Sequence, residues 1–150
     1  MWDLFESLVR FDTSRVKWLK IVDADPSEDD IVHPVVFPTR NLCVLTLHGC
    51  GDRCTFLCCL SPQPQSTSAI VCLKLEELAI GPHRRERFTI KDVIKVAASR
   101  AARGAELNTV RIVGRYDGLA PAEISELQKH VLHVEDGPRV VERMCWEMEF

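Results

Sequence analysis

Alternation of apolar and polar residues is clearest in NLCVLTLHGCGDRCTFLCCLSPQ. It places Cys43, Leu45 and Leu47 on one face of a run, and Cys54, Phe56, Cys58 and Leu60 on one face of the next. Strand side chains alternate faces with a period of two. Gly49, Gly51 and Asp52 lie between the two runs and carry turn chemistry. Residues 42–48 and 54–60 are therefore predicted to form a hairpin. After the loop SPQPQSTS, residues 69–75 return as a third strand of an antiparallel meander. Upstream, residues 15–22 alternate as a strand with both faces partly covered. Val35–Phe37 reads as a short edge strand stopped by Pro38.

Helical spacing appears in three places. Trp2, Phe5, Leu8 and Val9 mark a short amphipathic helix over residues 1–11. Thr89 is placed to cap a longer helix with Ile90, Val93, Ile94, Ala97 and Ala101 on one face, and Gly104 is its expected stop. Pro121 suits a first helical position, and Ile124, Leu127 and Val131 extend an apolar stripe to about Leu132. Between these helices residues 109–116 alternate as a strand. A last strand is expected at the C-terminal end, with Met144, Trp146, Met148 and Phe150 on one face. No internal repeat is read. The sum predicts one α+β domain over residues 1–150: a mostly antiparallel sheet, an N-terminal meander followed by β-α-β-α-β order, and helices packed on one face.

A 150-residue chain with 46% hydrophobic and 27% charged residues suits one ordinary globular core. No apolar run reaches the roughly 20 residues that span a bilayer, so no membrane partner is expected. Asp3 and Glu6 stand where a secretory leader would be basic. Seven cysteines, two of them adjacent (Cys58 and Cys59), do not suit a disulfide framework. Free thiols in the cytoplasm or nucleus are the expectation.

Six of those cysteines fall between Cys43 and Cys72. His48, Cys50, Cys54 and Cys58 form the candidate zinc set. The chain has no C-x-x-C, although structural zinc favours closely paired thiolates. Several of the cysteines occupy positions where their neighbours are apolar, so packing is the preferred reading and no metal or other cofactor is expected. Neither a depressed thiol pKa nor an oriented base is visible for a cysteine nucleophile. Phosphate loops, G-x-S-x-G and H-E-x-x-H are absent from the sequence.

The net charge of −3 conceals a basic block. Residues 83–115 hold nine Arg and Lys against three acids. Arg84, Arg85, Arg87, Lys91 and Lys95 are the candidates for phosphate contact with RNA or DNA. On a helical wheel Lys91 and Lys95 take one flank, and Arg100 and Arg103 the other. The preferred expectation is a non-enzymatic protein–protein interaction module: a subunit, adaptor or regulatory factor of host or viral origin. Its partner is a foreign protein or a second copy in a homodimer, contacted through Trp2, Phe5, Trp146, Met148 and Phe150.

Overall fold

A computed structural model describes residues 13–22, 39–49, 57, 60–61, 70–81, 90–113 and 119–137. They build a sheet of five strands: β1 (Trp18–Val22), β2 (Val44–His48), β3 (Glu77–Ile80), β4 (Leu107–Val113) and β5 (Val131–Gly137). Helix α1 (Ile90–Ala102) lies between β3 and β4, and α2 (Pro121–Gln128) between β4 and β5. A 3-10 turn, Thr13–Arg15, precedes β1. The strands are ordered in space as they are in sequence, and every neighbouring pair is parallel.

The antiparallel expectation is therefore wrong, and the hairpin shows why. Among the described residues no strand pairs antiparallel with β2, which pairs in parallel with β1 and β3. Leu57 and Leu60 are helical, and Ser61 N–H donates to the carbonyl of Leu57 at 3.1 Å, a helical i→i+4 bond. Leu57 and Leu60 are both buried, so the apolar positions there serve helical turns rather than one face of a strand. Residues 71–74 form a turn, and the strand expected there begins at Glu77. Likewise α2 stops at Gln128, and the strand after it is 131–137, earlier than the C-terminal strand expected from the sequence. Val35–Phe37, residues 1–11 and residues 138–150 lie outside the described residues.

The strand register exposes an internal repeat that the sequence reading missed. Leu19, Leu45, Leu78, Val110 and Val134 are cross-strand partners in one column; Ile21, Leu47, Ile80, Ile112 and Asp136 form another. Three residues before the first column stand Val16, Leu42, Leu75, Leu107 and Val131. Each strand thus carries the spacing L-x-x-L-x-L, with Asp136 the one polar substitute. The backbone repeats as well. The carbonyl of Lys17 accepts from Cys43 and Val44, that of Cys43 from Glu76 and Glu77, and that of Glu76 from Asn108 and Thr109, at 2.8–3.0 Å. Side chains add a ladder at the strand starts: Asn41 Nδ2 donates to the Ser14 carbonyl at 2.6 Å, and Lys74 Nζ to Asn41 Oδ1 at 2.7 Å.

Sequential parallel order places the helices. Crossovers between parallel neighbours are right-handed almost without exception, so α1 and α2 lie over the same face. Ile90, Val93, Val96 and Ala97 of α1 and Leu127 of α2 are buried in one cluster with the strand columns. Gly104 (φ +71°) ends α1 in the left-handed region that glycine tolerates, as its position in the sequence suggested. Glu123 Oε2 accepts the Ala120 N–H at 2.9 Å at the start of α2, and Asp136 Oδ2 on β5 accepts the Leu119 N–H at 2.7 Å. The polar member of the inner column is thus spent on holding α2.

Candidate functional site

With the helices on one face, the other face of the sheet is formed by residues that alternate with the buried columns. Trp18, Val44, Glu77, Thr109 and His133 make one row across it; Lys20, Thr46, Ala79, Arg111 and Glu135 make the next. Among the described residues no helix or strand packs on this side. Trp18 is 52% exposed, an unusual position for the largest apolar side chain. Strands 4.7–4.9 Å apart make five of them a surface roughly 19 Å wide.

Charge is concentrated towards β3–β5. Arg111 Nε donates to Glu135 Oε2 at 2.6 Å, and its Nη1 lies 3.3 Å from Glu77 Oε1. One guanidinium therefore bridges carboxylates from the two flanking strands, and the hydrogen bond to Glu135 raises its already high pKa. On β1 the exposed Lys20 has the opposite sign. At the C-terminal ends of the strands the His48 ring lies over Gly81. A Cβ at Gly81 would meet His48 Cδ2 at 2.4 Å, and the Gly81 N–H extends the ladder to the Leu47 carbonyl at 2.7 Å. Glycine at this position lets the imidazole settle on the sheet.

The residues singled out from sequence are distributed differently. Trp2, Phe5, Trp146, Met148 and Phe150 lie outside the described residues, as do Cys50, Cys54, Cys58, Arg84, Arg85 and Arg87. His48 sits on β2 of the open face. Among the described residues no group of three or more His, Cys, Asp or Glu is placed to hold a metal ion. Lys91 and Lys95 are exposed on α1, on the helical side of the sheet.

Two members of the basic block are committed within the fold. Arg111 belongs to the ion-pair bridge. Arg100 is 0% exposed and donates to four carbonyls: Ala105 (3.2 Å), Leu60 (3.4 Å), Val71 (2.9 Å) and Cys72 (2.8 Å). It ties the end of α1 to two segments of the β2–β3 crossover. Burial lowers its pKa, yet a guanidinium stays charged at any ordinary pH. The turn it holds carries Cys72 at φ +49°, with its sulfur 3.8 Å from Thr39 Oγ1. Burial pushes the Cys72 thiol up, against smaller lowering effects of Thr39 and Arg100. A thiol in that state is a poor nucleophile.

The sequence reading missed the open-face row because its members are individually ordinary. Only the register assembles Trp18, Val44, Glu77, Arg111 and Glu135. The signal available in advance was the L-x-x-L-x-L spacing, whose intervening positions define that face. No described helix is long and apolar enough to cross a membrane. No protein-family model, curated protein or solved structure matches the chain.

Proposed function

We propose that the protein is a non-enzymatic protein–protein interaction module that binds through the open face of its sheet. One observation carries this reading: five parallel strands in sequential order bury one face under helices, and on the other, around a buried Ala79, they carry partly exposed side chains that include a half-exposed Trp18. The unit resembles that of leucine-rich solenoids, in which a strand with L-x-x-L-x-L spacing alternates with a helix and neighbouring units complete one another's core. Such sheets offer many side chains on a rigid frame at fixed spacing, which suits recognition of another protein's surface. Tryptophan and arginine, both present here, are the residues over-represented where binding energy concentrates. This reading uses the strand rows; the terminal aromatics expected from sequence lie outside the described residues.

The test is quantitative affinity capture with three versions of the protein. Wild type should retain a partner in stoichiometric amount. Thr46→Arg with Thr109→Arg, which crowds the open face without touching the core, should lose it. Lys91→Ala with Lys95→Ala on α1 should keep it. Equal capture by all three, or loss only with the helix-side variant, would refute the assignment. RNA or DNA recovered in place of a protein and released by the lysine changes would refute it as well.

A further inference from the structure

We infer that the open face recognises a segment of another protein that combines an apolar or aromatic anchor with a basic side chain. The anchor meets Trp18 and Val44; the cation meets the Glu77–Arg111–Glu135 bridge. This inference rests on the interaction reading above and adds the chemistry of the partner.

Charge at the bridge sets the sign of the group it accepts. Arg111 contacts two carboxylates, so these three side chains together carry one net negative charge. The Glu135 side chain is 51% exposed and that of Glu77 27%, so both remain accessible from solvent. A carboxylate offers about four acceptor positions, and Arg111 uses only some of them. An incoming guanidinium or ammonium extends the alternation of charge without displacing anything. An incoming phosphate or carboxylate must separate Arg111 from its partners and then face two acids. The bridge therefore selects for a cation, and an exposed site of this kind contributes mainly specificity and orientation.

The other end of the face has different chemistry. Trp18 and Val44 are cross-strand partners on β1 and β2, an aromatic and β-branched pair. An exposed tryptophan offers a large rigid surface to an apolar side chain, and little is lost in ordering it. The two ends therefore fix the direction in which a segment crosses the sheet. Trp18 on β1 and Arg111 on β4 are three strand spacings apart, roughly 14 Å, which about four residues of extended chain would span.

Selection from a phage-displayed library of random 12-residue peptides on the immobilised protein tests this directly. The expected result is enrichment of peptides that place Arg or Lys about four residues from Leu, Phe, Trp or Met. Measured by fluorescence anisotropy, a selected peptide should bind at least tenfold more weakly to Trp18→Ala, and also to Glu77→Gln with Glu135→Gln. Lys91→Ala should bind it as wild type does. All of these substitutions lie at exposed or half-exposed positions, and circular dichroism would verify that each variant is folded. Selected peptides without basic residues, failure to enrich any sequence, or equal binding by the variants would overturn the inference. So would a labelled single-stranded RNA 20-mer that competes with a selected peptide for this face. A partner captured through the open face but lacking the basic–apolar pairing would overturn only this inference. Loss of the open-face requirement in the capture experiment would remove the underlying reading.

Discussion

Replacing Arg100 by leucine would leave carbonyls of Leu60, Val71, Cys72 and Ala105 without their donor in a site from which water is excluded. An unpaired buried acceptor costs about 1–3 kcal/mol, and here several lose their donor at once. Arg100→Leu should therefore lower the stability measured by urea denaturation by at least about 3 kcal/mol. Arg111→Gln, which breaks only exposed pairs, should change it by no more than about 1 kcal/mol. Gly81 offers a test of a different kind. Alanine there must displace the His48 ring, so Gly81→Ala should destabilise by about 1 kcal/mol, and by clearly less in a His48→Ala background. An unchanged cost in the double mutant would mean that the contact with His48 is not the reason for glycine. Arginine in a basic segment reads from sequence as a surface charge; only the packed crossovers show that Arg100 is an internal clamp.

Individual strands are unequal because the sheet has edges. Leu78 in central β3 is 0% exposed, with β2 on one side and β4 on the other. Val134 in edge β5 is only half-buried. Leu78→Ala should cost about 2–5 kcal/mol and Val134→Ala distinctly less, as measured by the denaturation midpoint at constant slope. Helix α1 and its glycine stop were legible in the sequence because capping, periodicity and termination are local. Strand pairing was not. Alternation says that a segment can be a strand, but it is silent on the direction of its neighbour. The intervals between equivalent positions vary from 24 residues (Val110 to Val134) to 33 (Leu45 to Leu78), so the repeat lacks the fixed period by which solenoids are usually found. A crossover between parallel strands needs a dozen or more residues. All four connections here exceed that, which was the available clue against a hairpin.

Across the whole molecule, Cys72 reports on global opening. It is buried, and its turn is held by Arg100, which also joins α1 to the β2–β3 crossover. Its alkylation by iodoacetamide should follow the rate of unfolding rather than local motion. The sign of the pH effect follows from its raised thiol pKa. Above the unfolded value of about 8.5 the unfolded chain releases a proton that the folded chain retains, so this contribution to stability falls as pH rises. Below that pH it is constant. Cys72→Ala should show a shallower loss of stability between pH 8 and 10 than wild type, and an identical slope would contradict the assignment. The sequence by itself determined which segments are apolar and where α1 runs and stops, because these depend on neighbours a few residues away. Tertiary structure alone decided that the strands run parallel in sequential order, that Arg100 turns inward, and that Trp18, Glu77, Arg111 and Glu135 share one open face. Those relations join residues far apart in the chain, and the physical cause is the burial of columns that no single strand can complete alone.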